Sequence, residues 1–107
     1  MECVDVKVTL QYFDGCPHWR VAEARIEALR AEGYDLVLER QLIDTPEVAE
    51  HYGFRGSPTL LVDGVDPFAD LDAPIGLSCR LFRTEHGYSG APTLDQLRAV
   101  FDEAKMG

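Results

Sequence analysis

Near the start of this chain the hydrophobic period changes once, and the change falls on Gly15-Cys16-Pro17. Val4, Val6, Val8, Leu10 and Tyr12 occupy every second position with mostly polar residues between them, the pattern of a strand with one buried face. From Pro17 onward, Trp19, Ala22, Ile26 and Leu29 recur at spacings of three and four, which gathers them on one helix face. A strand ending near Phe13 must therefore pass directly into a helix. Pro17 suits the first turn of that helix, where its missing N–H has no intrahelical partner to lose, and Gly33 is the expected stop. A cysteine stands at the junction.

Residues 34–43, rich in Leu, Val and Ile, predict a second strand. Thr45-Pro46-Glu47 reads as an N-cap, a first-position proline and an acidic first turn, opening a short helix that ends at Gly53. Residues 59–62 form a compact apolar run between Pro58 and the Asp63-Gly64 turn signal, as expected of a central strand. Residues 65–78, with Pro67, Pro74 and Gly76, read as an insertion or flap, and its acidic residues Asp66, Asp70 and Asp72 as a solvated loop together with Asp63. Residues 79–84 suggest a fourth strand and 85–92 a turn region. The last helix starts at a capping box, Thr93 with Gln96, and carries Leu94, Leu97, Phe101 and Ala104 on one face. The order is β-α-β-α-β-β-α in one domain spanning 1–107. The first two strands are expected to be parallel through a right-handed crossover and the last two antiparallel.

At 107 residues the chain is long enough to bury roughly 60 to 70% of its unfolded surface in one core. Nineteen acidic residues against ten basic ones, a formal charge of −9, argue against nucleic acid or an anionic membrane as partner. Residues 1–13 alternate with Asp5, Lys7 and Thr9 and so lack the apolar core of a signal peptide, and no apolar run approaches the ~20 residues of a membrane span. The reading is of a cytoplasmic protein, in whose reducing surroundings the three cysteines at 3, 16 and 79 do not form a disulfide framework.

A thiolate is the nucleophilic form of cysteine, and a cysteine at a helix start meets unpaired amides and the positive end of the helix dipole. Cys16 is therefore expected to be the reactive residue, against the blander alternative of a small buried hydrophobe. The position three residues on, which would hold a second thiol in a C-x-x-C pair, is Trp19, whose indole cannot resolve a mixed disulfide. The site is expected to work with one thiol, resolved by glutathione or another small thiol. Trp19 itself is expected mainly to pack, or else to wall the site. Cys79 is the possible resolving partner. An antiparallel fourth strand beginning there would put it at the far end of the sheet, unless residues 65–78 fold back over the site, and a bridge needs Cα atoms within ~7 Å. Cys3 is expected to be incidental. His18, His51 and His86 share no ligand spacing with one another or the cysteines, so no metal site is expected. No phosphate-binding glycine loop and no Gly-x-Ser-x-Gly motif is present.

Tyr12 to Trp19, Gly56-Ser57-Pro58-Thr59-Leu60-Leu61-Val62-Asp63-Gly64 and the Gly76 to Thr84 segment resemble small bacterial proteins of the thioredoxin-like superfamily that carry C-P-x-W in place of C-x-x-C, some labelled alkylmercury-lyase-like. The resemblance implies a glutaredoxin-type three-layer α/β fold with a four-stranded mixed sheet flanked by helices. It further implies that Pro58 is cis and faces Cys16, and that Pro17, Trp19, Ser57, Pro58 and Thr59 form the substrate-binding surface. The implied activity is thiol-disulfide exchange on a protein or small-molecule substrate, with no cofactor beyond a low-molecular-weight thiol such as glutathione. Two other readings accompany it. One is soft-metal or organomercurial handling through Cys16, with or without Cys79, and the other is a redox-silent binding module.

Overall fold

Val6, Val8 and Leu10 are withdrawn from water while Lys7 is exposed, so the alternation forms a strand, β1 (Val6–Tyr12), with one face in the core. The structure, a computed structural model, describes residues 6–69 and 72–106. Val4 and Cys3, and with Cys3 the expectation made for it, lie outside them. Helix α1 (His18–Ala31) buries Trp19, Ala22, Ile26 and Leu29 along one stripe. It ends where the Glu32 N–H turns back to the carbonyls of Ala28 and Leu29, and Gly33 follows at φ +111°. The chain then returns as β2 (Leu36–Leu42), parallel to β1 with Val6 opposite Leu36 and Tyr12 opposite Leu42.

Helix α2 (Pro46–Tyr52) has the predicted ends. Thr45 Oγ1 accepts from the Val48 N–H at 3.1 Å, and Gly53 closes the helix in the left-handed region. Strand β3 (Thr59–Val62) runs antiparallel to β1, giving the order β2-β1-β3. Helix α3 (Leu94–Met106) opens on the reciprocal capping box: the Gln96 N–H reaches Thr93 Oγ1 at 3.1 Å and the Thr93 N–H reaches Gln96 Oε1 at 2.9 Å. Together α1 and α3 cover one face of the sheet, around Leu10, Ile26, Leu29, Leu60, Leu97 and Phe101. A smaller cluster of Ile43, Ala49 and Phe54, with Leu77 against it, holds α2.

The expected four-stranded sheet is a correction. Among the described residues the sheet has three strands, and β4 (Phe82–Thr84) pairs instead with β5 (Gly87–Ser89) in a separate antiparallel hairpin. The cause lies beyond β3. The Asp63-Gly64 turn folds the chain back so that Val62 and Val65 exchange two backbone hydrogen bonds, 2.7 and 3.1 Å long. Near Ser57 the chain meets residues 78–80, which run parallel to it: the Ser57 N–H donates to the Ser78 carbonyl at 2.7 Å and the Arg80 N–H to the Ser57 carbonyl at 2.8 Å. Cys79 is thus the centre of a single parallel bridge, not the first residue of an antiparallel strand. The region expected to be turn supplies β5, where Gly87 adopts φ +108° and Thr84 Oγ1 donates to the Gly87 carbonyl at 2.7 Å.

Candidate functional site

The strand-to-helix junction is a tight turn in which the Cys16 N–H donates to the Phe13 carbonyl at 3.0 Å. Gly15 allows it, since a Cβ there would come within 2.7 Å of the Phe13 ring. Pro17 is the helix cap, so α1 starts one residue later than predicted, and the Pro17 carbonyl accepts from the Arg20 N–H at 3.1 Å. Cys16 therefore stands one residue before the cap of a helix with no acid in its first turn. It is wholly buried, and its Sγ lies 3.7 Å from the Ser57 carbonyl oxygen.

The parallel bridge at Ser57 brings Cys79 to this point. Cys16 and Cys79 are joined by a disulfide, with Cα atoms 5.7 Å apart. Two expectations change with it. Cys79 does not lie at the remote end of the sheet, and the site is not a one-cysteine site. Both followed from assigning residue 79 to an antiparallel strand, and the parallel approach of residues 78–80 reverses the geometry. The two cysteines also differ in access: Cys79 is exposed while Cys16 is not.

The remaining predicted residues divide. Pro17 and His18 are exposed, and His18 lies against Gly90, where an added Cβ would meet its ring at 2.4 Å. Trp19 is core, 6% exposed, tilted against Tyr12 with ring centroids 4.5 Å apart and flanked by the Arg20 and Arg40 guanidinium groups at 5.1 Å, so packing takes up most of its ring. Ser57, Pro58 and Thr59 are all buried, and the Ser57–Pro58 peptide bond is cis. Thr59 Oγ1 donates to the Gly56 carbonyl at 2.7 Å and accepts from Arg80 Nη1 at 3.3 Å. These three shape the floor beneath the disulfide and present little surface of their own. His51 and His86 lie elsewhere, and the described residues contain no cluster of three His, Cys, Asp or Glu that could hold a metal.

Arg80 has no cue in the sequence pattern. Only 8% exposed, it pairs with Asp66 at 2.8 Å, reaches the Phe68 carbonyl and Thr59, and lies over the Phe82 ring at 4.6 Å. It ties residues 66–68 to β3 and fixes the residue that follows Cys79. Asp66 is accordingly a partner in this network, not part of a solvated loop. Gly56 makes room for it: at φ +129°, a Cβ there would approach the Arg80 backbone to 3.2 Å. A lone arginine amid irregular sequence carries no periodic signal, so only the complementary charge of Asp66 hinted at the pair. The groups with displaced pKa values serve the helices instead. Arg98 holds the Glu32 carboxyl below its ordinary range by hydrogen bonding, and a hydrogen bond to Asp102 raises the Tyr34 phenol.

Among solved structures, the chain superposes on a point mutant of thioredoxin from Halobacterium salinarum NRC-1 with a TM-score of 0.55, over 94% of this chain and 75% of that one, at 23% identity. The fold is that of thioredoxin. No protein-family model and no curated protein matches the chain. On the thioredoxin fold, this chain sets one cysteine at the strand-to-helix junction and the other beside the residue preceding Pro58. Among the described residues no helix is long and apolar enough to cross a membrane.

Proposed function

We propose that this protein is a thiol-disulfide redox protein whose two-electron couple is Cys16 and Cys79. The observation that carries the reading is the bond itself. It links a cysteine at the start of a 14-residue helix to an exposed cysteine 63 positions away, with no other disulfide partner needed for either. When the bond opens, the positive end of the α1 dipole acts in favour of a thiolate at Cys16, and burial beside the Ser57 carbonyl acts against it. Two thiolates from a reductant supply the two electrons and leave as their own disulfide, and the same steps reversed oxidise the pair at the expense of a substrate disulfide. In the reducing compartment read from the sequence, such a pair cycles rather than staples. The substrate is a thiol or disulfide, and no metal or bound cofactor enters the scheme.

The test is turnover. Wild type, Cys16→Ser and Cys79→Ser are compared for transfer of electrons from a thiol reductant to a chromogenic or protein disulfide. Turnover in wild type with loss in both variants supports the proposal; equal rates in all three exclude it.

A further inference from the structure

The two sulfurs of the bond are not equivalent, and the difference assigns them roles. Cys16 is wholly buried, whereas Cys79 is exposed and lines a groove of about 500 Å³ that Cys16 does not reach. The groove opens on the sheet face opposite α1 and α3. By strand alternation that face carries Gln11, Thr59 and Leu61, and Tyr52, Ser78 and Tyr88 border it. Exchange requires an incoming thiolate to approach the attacked sulfur in line with the bond, and it proceeds faster when the departing thiol has the lower pKa. Access favours attack at Cys79. The helix start favours departure of Cys16. Resting on the redox reading above, we infer that Cys79 is the sulfur that exchanges with an outside thiol, that Cys16 is the departing and returning thiolate, and that the groove admits a low-molecular-weight thiol.

The size of the co-substrate follows from the backbone beside the bond. A protein segment pairing next to the disulfide in extended form would need the N–H and carbonyl of Ser57, and both are already bonded to Ser78 and Arg80. A groove of this volume, with amide, hydroxyl and phenol groups on its walls, suits a small polar molecule of tripeptide size. In the first step the small thiolate bonds to Cys79 Sγ while the Cys16–Cys79 bond breaks, and the electron pair leaves on Cys16. In the second, another small thiolate attacks the small-molecule sulfur of the mixed disulfide and releases the small disulfide and the Cys79 thiolate. Two small thiols are oxidised, the protein disulfide is reduced, and the two protons the thiols lose on ionising are available to the two cysteines.

The experiment treats oxidised wild-type protein with glutathione for timed intervals, quenches each sample with excess N-ethylmaleimide under denaturing conditions, and maps the products by peptide mass spectrometry. The expected product carries glutathione on Cys79 and the maleimide on Cys16, in at least about tenfold excess over the reverse. The reverse pattern, or an even mixture, overturns the inference. In parallel, Cys16→Ser should be captured by glutathione disulfide at least about tenfold faster than Cys79→Ser, because only the former retains the accessible thiol. A third arm fills the groove with Leu61→Trp. Reduction by glutathione should slow at least about tenfold relative to reduction by 2-mercaptoethanol, and an unchanged ratio overturns the groove assignment. If dithiothreitol reduces and cycles the pair but glutathione forms no adduct, the small-thiol inference fails and the redox reading stands. If no thiol reduces the folded protein, both fail.

Discussion

The disulfide spans 63 positions, so opening it releases much of the unfolded chain from a cross-link. In the chain-entropy relation the loss is ΔS ≈ −2.1 − 1.5R ln n cal/mol/K, and with n near 63 it amounts to about 4 kcal/mol at 25 °C. Reduction should therefore lower the unfolding free energy by about that amount. With a urea slope of roughly 1–2 kcal/mol/M for a domain of this length, the midpoint falls by about 2–4 M. The assay is urea denaturation of the oxidised protein, the protein reduced by dithiothreitol, and the Cys16→Ala/Cys79→Ala double variant, followed by far-UV circular dichroism and Trp19 fluorescence. The reduced protein and the double variant should agree closely, because both lack the same constraint. A midpoint that moves by less than about 0.5 M on reduction would mean that the bond does not constrain the unfolded chain.

Three further outcomes follow from individual contacts. Thr93→Ala removes one half of the α3 capping box and should cost about 1 kcal/mol in the same urea assay, with Thr93→Ser recovering most of it. Ser57 Oγ is buried with no hydrogen-bond partner among the described residues, so Ser57→Ala should leave stability unchanged or raise it by up to about 1–2 kcal/mol; a loss of that size would show that the hydroxyl has a partner in solution. The Arg98 hydrogen bond holds the Glu32 carboxyl below its ordinary pKa, so the pair's contribution is present above that ordinary value and is lost as pH falls through the lower folded one. The gap in urea midpoint between wild type and Glu32→Gln should therefore close on acidification and shrink in high salt, and a gap independent of pH would contradict this assignment.

What could be read from the sequence was local chemistry. The α1 stripe of Trp19, Ala22, Ile26 and Leu29, both ends of α2 and the Thr93-Gln96 box all depend on residues three or four positions apart, and each stands in the structure as expected. Strand β3 coincides with its apolar run because proline and a turn bound it on both sides. The position of Cys79 was of a different kind. It depends on a single parallel bridge to Ser57 and on an arginine reaching back to Asp66, Phe68 and Thr59, across separations of 12 to 22 residues with no period to announce them. The composition of residues 79–84 suits one strand, but β4 starts only at Phe82, since residues 78–80 pair with Ser57 and Arg80 is occupied with residues 66–68. Trp19 shows the opposite case. Its place on the apolar stripe already argued for packing, and its contact with Tyr12 accounts for it without a role at the disulfide.

Redox function of the kind proposed requires that Cys16 and Cys79 form one reversible couple in the folded protein. Its most direct test is an equilibrium titration across graded ratios of reduced to oxidised dithiothreitol, quenched with an alkylating reagent and read by peptide mass spectrometry. The two cysteines should gain label together along a single two-electron transition, with the Cys16–Cys79 cross-linked peptide disappearing in step. Cysteines labelled independently of each other, or a cross-linked peptide that never forms, would contradict it.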